Sequence, residues 1–138
     1  MIKKYYLDTP IWMDIYEDRK GFRDEPLGDF ALRLISVILT RKDTLVLSDL
    51  LIKELEMNYS IDEINGMVKP FESIVEKIVT SKKQHDESLK ISLAENVPRG
   101  DALHAVLARD NGLILVTRDN HFKKLRRISN HYKPEELI

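Results

Sequence analysis

The sequence predicts an α/β fold built around a mainly parallel sheet. Short apolar runs that suit buried strands alternate with longer segments whose apolar residues recur at helical spacing. Strands that alternate with helices in this way form βαβ units, whose strands run parallel. A chain of 138 residues also suits one domain with one sizeable core. We therefore expect a single domain over residues 1–138.

The first strand is predicted at Ile2–Leu7, in the centre of the sheet. A short helix then runs from Thr9 to Tyr16, because proline at position 10 suits the first helical turn. Residues 17–24 are charged and contain a glycine, so we expect a loop.

The clearest helix covers residues 26–41. Its apolar positions recur at helical spacing: Leu27, Phe30, Ala31, Leu34, Val37 and Ile38. A short strand follows at Thr44–Leu47, and Ser48 is a suitable N-cap for the next helix, which carries Glu54. A further helix is predicted from Ser60 to Val68, before Pro70.

Residues 74–80 have mixed periodicity and are assigned to a strand. Lys82–Glu95 is predicted to be helical, with Leu89, Leu93 and Ala94 as its apolar positions.

The next helix runs from Arg99 to Asp110, with Asn111-Gly112 as its stop signal. Leu113–Thr117 is a buried strand. The predicted remainder is a short helix at 121–126, an edge strand at 128–132 and a closing turn at 134–137.

Composition excludes several classes of protein. The net charge of −1 argues against a broadly basic nucleic-acid binder, although Lys123, Lys124, Arg126 and Arg127 form a local basic cluster. There is no cysteine, so neither a disulfide framework nor a thiolate metal site exists. No apolar run approaches the roughly 20 residues of a membrane span, and the amino terminus lacks the long apolar stretch of a signal peptide. We expect a cytoplasmic protein without a membrane partner.

Four carboxylates stand out by position: Asp8, Glu54, Asp101 and Asp119. Asp8 ends the first strand, Asp119 follows the last buried strand, and the other two lie on helices. The carboxyl ends of parallel strands share one edge of a sheet, so these acids should meet there. Crowded carboxylates repel one another, and a bound divalent cation is the simplest way to keep them ionised. The pattern predicts metal-dependent chemistry, with a phosphodiester as the leading substrate.

Each of the three aspartates has an alternative role as a helix N-cap. Glu54 has no such role. Leu50, Leu51 and Met57 share its helix face, which predicts that Glu54 lies on a buried stripe and needs a cation or another partner.

Other residues near the acids are weaker candidates. The Thr117 hydroxyl should share the strand face of Asp119, and Thr9 and Arg118 are assigned supporting roles beside the site. His104 and His121 lie three and two residues from an acid, but surface or structural roles are the ordinary ones for such histidines. A zinc centre is not expected, because the chain has neither cysteine nor a paired-histidine motif. Oxygen ligands alone suit Mg²⁺ or Mn²⁺.

These motifs together resemble the PIN domain nucleases over nearly the whole chain. The four segments that carry the resemblance are Tyr5-Tyr6-Leu7-Asp8-Thr9, Ser48–Leu55 with Glu54, Gly100-Asp101-Ala102-Leu103-His104-Ala105, and Val116–Phe122 with Asp119. Any one of them is a weak signal, whereas the ordered set is fairly specific. The charged segment 17–25 departs from the pattern, because it is longer than expected after the first helix.

The resemblance implies a three-layer α/β/α sandwich with a central parallel sheet. It implies Mg²⁺- or Mn²⁺-dependent ribonuclease activity with Asp8, Glu54, Asp101 and Asp119 as catalytic residues and metal ligands. At this length the chain looks most like the toxin of a toxin–antitoxin pair, with an antitoxin protein as partner and a homodimer as the expected assembly. Ile11, Trp12, Ile15 and Tyr16 place apolar groups on more than one side of the first helix, which also favours a dimer.

Rival functions fit less well. A catalytically silent PIN-like module that binds RNA or protein is the main alternative. A receiver-like phosphoacceptor would need an acidic pair after the first strand, where Asp8 stands alone. A haloacid-dehalogenase-type phosphatase would need a second aspartate where the chain has Pro10, and no glycine-rich phosphate loop exists.

Overall fold

A five-stranded parallel sheet lies at the centre of the computed structural model, which describes residues 1–138. The strands are β1 (Lys4–Leu7), β2 (Thr44–Ser48), β3 (Val75–Ile78), β4 (Ile114–Val116) and β5 (His131–Tyr132). Their spatial order is β3-β2-β1-β4-β5, and every neighbouring pair is parallel. The predicted central position of the first strand is confirmed.

Helices connect the strands and cover both faces of the sheet. They are α1 (Thr9–Glu17), α2 (Leu27–Arg41), α3 (Asp49–Glu56), α4 (Ile61–Val68), α5 (Lys82–Glu95) and α6 (Arg99–Asn111). Three 3₁₀ turns complete the chain, at Lys69–Ile74, Asn120–Leu125 and Pro134–Glu136. None of these helices combines the length and the apolar character needed to cross a bilayer.

Two apolar cores sandwich the sheet because successive strand side chains point to opposite faces. Tyr5 and Leu7 face the core formed with α1, α2, α3 and α4. Tyr6, between them, faces the core formed with α5, α6 and the 120–125 turn. This is the predicted three-layer α/β/α sandwich.

The predicted apolar face of α5 is wrong. Leu89 and Leu93 are 43% and 77% exposed, and Ala94 is also exposed, whereas Ser88 and Ile91 are buried. The reason is that the face of α5 towards α6 buries only Ser88 and Ile91, and the two helices are otherwise joined by polar contacts such as that between Glu87 and Arg109. Residues 102–108 of α6 are buried throughout and fill the space next to the sheet.

The first helix exposes less apolar surface than expected. Ile11 and Trp12 are each only 1% exposed within this chain. Tyr16 is 46% exposed and stands edge-on against Tyr59, with ring centroids 5.3 Å apart. The loop after the helix is anchored to it, since the Arg19 N–H donates to the carbonyl oxygen of Asp14. The apolar basis for a dimer is therefore narrower than the sequence indicates.

Candidate active site

Asp8 begins the site at the carboxyl end of the central strand. It caps α1, because its Oδ1 accepts a 2.8 Å hydrogen bond from the Thr9 N–H. Its Oδ2 accepts a 2.9 Å bond from the Thr117 hydroxyl, which follows the neighbouring strand β4. Asp8 is only 3% exposed. The cap that the sequence offered as an alternative is thus present, and the same oxygen, Oδ1, also lies 3.6 Å from His104 in the site.

Glu54 approaches Asp8 from α3. Ser48 starts that helix by accepting a 3.0 Å bond from the Leu51 N–H, as predicted from its position. The Glu54 Oε1 atom accepts a 2.5 Å bond from the Thr9 hydroxyl. Its side chain is 29% exposed, so it lies at the edge of the core. The prediction that Met57 shares a buried face with Glu54 is wrong. Met57 is 82% exposed because the helix has already ended at Glu56.

His104 completes this part of the site, although the sequence gave it little weight. Its Nε2 atom lies 2.7 Å from Glu54 Oε1 and 3.6 Å from Asp8 Oδ1. Its Nδ1 atom lies 2.6 Å from the Tyr6 hydroxyl, which lies 2.6 Å from the Ser48 hydroxyl. The side chain is fully buried. We call Asp8, Glu54 and His104 the inner cluster.

Charges inside the inner cluster shift one another's pKa values. Burial lowers the pKa of His104, but its hydrogen bond to Glu54 and the charges of Asp8, Glu54 and Asp101 outweigh burial and raise it overall. Burial opposes ionisation of Glu54, yet the bond and charge of His104 lower its pKa overall. Both directions favour an imidazolium–carboxylate pair. Burial raises the pKa of Asp8 despite His104 and the bonds from Thr117 and Thr9.

Asp101, Asp119 and His121 form a second group, the outer cluster. The Nδ1 atom of His121 lies 3.0 Å from Asp101 Oδ2 and 3.0 Å from Asp119 Oδ1. Asp119 also caps the following turn, because its Oδ1 accepts a 2.8 Å bond from the His121 N–H. The cap alternative for Asp101 is wrong: Pro98 occupies the N-cap of α6, and Asp101 lies in its first turn.

The outer cluster is more exposed to solvent than the inner one and has fewer hydrogen-bond partners. The side chains of Asp101, Asp119 and His121 are 16%, 35% and 48% exposed. Burial, followed by the charges of Asp119 and Asp8, raises the pKa of Asp101 from 3.8 to about 6. The charge of Asp8 therefore reaches across to Asp101, and the two clusters act as one electrostatic site.

The donor set fits a divalent cation. In each cluster three side chains offer one donor atom apiece, and these atoms all lie within 4.8 Å of one another. Carboxylate oxygens suit Mg²⁺ and Mn²⁺, and the carboxylates repel one another unless a cation joins them. The structure adds an imidazole nitrogen to each set of oxygens, which the sequence did not predict.

The three supporting residues have different surroundings. Thr9 and Thr117 each donate a hydrogen bond to an acid, Glu54 and Asp8 respectively. Arg118 instead forms two bonds of 2.9 and 2.7 Å with Glu135, and its guanidinium lies 6.0 Å from the centre of the Phe30 ring. Arg118 is thus held by the carboxyl-terminal turn.

Comparison with known proteins places the chain in a family. A model of the PIN domain matches residues 5–128. The chain belongs to the PIN domain family. The match covers all four acids of the two clusters and confirms the resemblance seen in the sequence.

Solved structures share the same PIN fold. VapBC2 from Rickettsia felis, bound to a DNA fragment from its promoter, is 20% identical with a TM-score of 0.65, over 94% of this chain and 98% of that one. A toxin–antitoxin complex from Klebsiella pneumoniae is 17% identical with a TM-score of 0.65, over 94% and 97%. PAE2754 from Pyrobaculum aerophilum is 18% identical with a TM-score of 0.60, over 99% and 93%. A search of functionally curated proteins finds no significant match.

Proposed function

We propose that this PIN domain is a metal-dependent ribonuclease that hydrolyses RNA phosphodiester bonds. The observation that carries the proposal is that the four acids lie in two neighbouring clusters, Asp8 with Glu54 and Asp101 with Asp119, and that burial, followed by the charges of Asp119 and Asp8, raises the pKa of Asp101 to about 6. A carboxyl group perturbed in this way marks a candidate functional site, and a bound cation would relieve the repulsion between its acids. Mg²⁺ or Mn²⁺ held by these four acids would supply Lewis-acid activation of water and of the phosphate.

The protein's own residues orient the acids. Thr9 and His104 hold the same oxygen of Glu54, and Thr117 holds Asp8. These bonds fix the carboxylates before the substrate arrives, which reduces the reorganisation needed during the reaction. His104 also balances part of the negative charge at the buried end of the site.

A polar groove next to Asp119 is suited to the RNA backbone. It has a volume of about 480 Å³, and no apolar residue lines it. Lys123, Arg126 and Lys133 line it together with Arg118 and Asp119. Arg118 is paired with Glu135, whereas neither Lys123 nor Arg126 takes part in an ion pair. We assign phosphate binding to Lys123 and Arg126, with Arg118 in support.

We further propose that the protein is the toxin of a toxin–antitoxin pair in the cytoplasm. Support comes from the fold shared with VapBC2 of Rickettsia felis and with the Klebsiella pneumoniae toxin–antitoxin complex. An antitoxin protein would then be a partner, and a homodimer remains part of the proposal. A small neighbouring gene that encodes a DNA-binding domain with a tail would support this assignment.

The alternative is a catalytically silent module that binds RNA or protein. The presence of all four acids, each held by bonds within the site or raised in pKa, weighs against it. A nuclease assay on single-stranded RNA, with Mg²⁺ or with EDTA, separates the two functions. We expect cleavage that EDTA abolishes and that Asp101→Asn reduces at least ~100-fold, because metal charge contributes several kcal/mol to such transition states.

Asp86→Asn is the matched control for this assay. Asp86 is an exposed aspartate on α5, outside both clusters, so its substitution should leave cleavage unchanged. Equal RNA binding by wild type and Asp101→Asn, with no cleavage by either under any divalent cation, would establish the silent module instead.

A further inference from the structure

The geometry of the outer cluster points to a nitrogen ligand. We propose that the Nδ1 atom of His121 binds the divalent cation together with Asp101 and Asp119. The site would then hold its cation through mixed nitrogen and oxygen ligands. This inference rests on the proposed metal-dependent function and adds a residue that the four-acid site does not include.

The two distances from His121 to the aspartates match those between ligands of one cation. His121 Nδ1 lies 3.0 Å from an oxygen of Asp101 and 3.0 Å from an oxygen of Asp119. Ligand atoms that bind at right angles with bonds of about 2.1 Å lie about 3.0 Å apart. One proton on Nδ1 cannot point along both directions, whereas a cation between the three atoms would contact all of them.

The environment of His121 leaves Nδ1 available. The side chain is 48% exposed, and its other ring nitrogen takes part in no hydrogen bond within the chain. A cation can therefore displace the proton that Nδ1 donates towards the two carboxylates, because the ring can carry its proton on the second nitrogen instead. The bond from the His121 N–H to Asp119 keeps the residue beside its partner acid.

His104 provides the contrast. Both of its ring nitrogens contact other side chains, Tyr6 on one side and Glu54 on the other, and its side chain is fully buried. It balances the charge of the acids from inside the fold. Of the two histidines in the site, only His121 is exposed to solvent, from which a metal ion would enter.

A nitrogen ligand should change which metal the site prefers. Imidazole suits Mn²⁺ and later transition ions better than Mg²⁺, which prefers oxygen ligands. We therefore expect the wild-type site to prefer Mn²⁺ over Mg²⁺ by more than a site with oxygen ligands alone.

Pulsed electron paramagnetic resonance of bound Mn²⁺ tests the ligand directly. Protein labelled with ¹⁵N-histidine should show ¹⁵N coupling to Mn²⁺, and His121→Ala should abolish it and weaken Mn²⁺ binding at least ~10-fold by calorimetry. His121→Asn places an amide oxygen near the position of Nδ1, so it should lose the coupling and the Mn²⁺ preference while retaining Mg²⁺ binding. His85→Ala is the control, because His85 lies on α5 and its ring makes no hydrogen bond.

Three other results would each contradict the inference, and each has a different meaning. If wild-type protein binds Mn²⁺ without histidine coupling, the metal-dependent function stands and His121 is not a ligand. If the coupling persists in His121→Ala, another histidine supplies the nitrogen. If the wild-type protein binds neither cation, both the inference and the proposed metal dependence fail.

Discussion

The inner and outer clusters both place carboxylates close together, but their negative charge is compensated in opposite ways. In the inner cluster the fold supplies a histidine partner, His104, whose pKa is raised by the acids, and hydroxyl donors from Thr9 and Thr117. In the outer cluster the only partner of the two aspartates is His121, which is 48% exposed. The acids of the inner half have partners within the fold, whereas those of the outer half are left with more of their mutual repulsion.

This difference predicts that the inner cluster contributes to the stability of the fold and the outer cluster to ligand binding. Buried carboxylates require partners in the folded protein itself, so removal of an inner partner should affect folding. The repulsion at the outer half is tolerated because solvent and a bound cation can relieve it, so changes there should affect ligand binding. Substitutions in the two clusters should therefore have different effects on folding and on metal binding.

Loss of the His104 side chain should have the largest effect on folding. His104→Ala leaves two neighbouring carboxylates and the Tyr6 hydroxyl without their shared partner inside the protein. Breaking a buried pair in this way costs roughly 3–5 kcal/mol in the free energy of unfolding. His121→Ala, at the exposed half, should change it by about 0.5 kcal/mol or less. Urea unfolding in EDTA measures both, and equal losses would contradict the division.

Asp101→Asn should change the response to metal rather than weaken the fold. The substitution removes one repelling charge at nearly constant size, so the metal-free protein should be as stable as wild type or more stable. Mg²⁺ at a hundredfold excess over its Kd should stabilise wild type by roughly 2.7 kcal/mol, and the variant by much less. Thermal melts in EDTA and in Mg²⁺ measure this. A variant that melts well below wild type in EDTA yet responds normally to Mg²⁺ would make Asp101 a structural residue.

Gly100→Ala should disturb the position of Glu54 without unfolding the protein. A Cβ atom at residue 100 would lie 2.8 Å from Glu54 Oε2, so the carboxylate would have to move. We expect RNA cleavage to fall roughly tenfold, because small misplacements of reacting groups are costly. Gly66→Ala on α4 is the control, since its Cβ meets nothing within 4 Å. It should raise stability by roughly 0.5–1 kcal/mol and leave cleavage unchanged.

The pH dependence of metal-free stability should show the smallest effect. The pKa of Asp101 is about 6 in the folded protein against 3.8 ordinarily, so the folded state holds its proton longer and stability falls as pH rises through this range. The pKa of His104 is raised above 6.5, so its contribution is present below that value and is lost as pH rises through the folded-state pKa. The two shifts act in the same direction.

Chemical unfolding in EDTA at about pH 4 and about pH 6 covers the loss from Asp101, and a further measurement at about pH 8 covers the loss from His104. Asp119→Asn removes a charge that raises the pKa of Asp101, so stability should change by a different amount between about pH 4 and about pH 6 in this variant than in wild type. Wild-type protein that is more stable at about pH 8 than at about pH 6 would contradict the direction for His104, and an unchanged profile in Asp119→Asn would contradict the cause given for Asp101.

The arrangement of strands and helices could be predicted from the sequence because it follows from local patterns. Apolar runs and helical spacing correctly indicate the central strand β1 and the helix α2, and Ser48 correctly marks the start of α3. Asp8 and Asp119 could be assigned to one edge because they follow parallel strands. Their catalytic roles remain predictions.

The predictions from the sequence are wrong where tertiary packing determines which residues are buried. Leu89 and Leu93 are apolar but exposed, since α5 packs against α6 through Ser88 and Ile91. Spacing did indicate His104, which lies three residues after Asp101 on the helix surface, but it gave no sign of the contacts with Glu54 and Asp8. Its contact with Tyr6 could not be predicted, because the two residues are 98 positions apart.

Because the strands run parallel, the acids that follow them lie at one edge of the sheet, and the opposite edge can carry a label without disturbing the site. Asn111 is exposed at the end of α6 opposite Asp101, about 18 Å along the helix from Arg99. Since the chain has no cysteine, Asn111→Cys would give one thiol for a fluorescent dye at the edge remote from both clusters. Energy transfer from that dye to labelled RNA would then test whether RNA binds in the proposed groove and in which direction it runs.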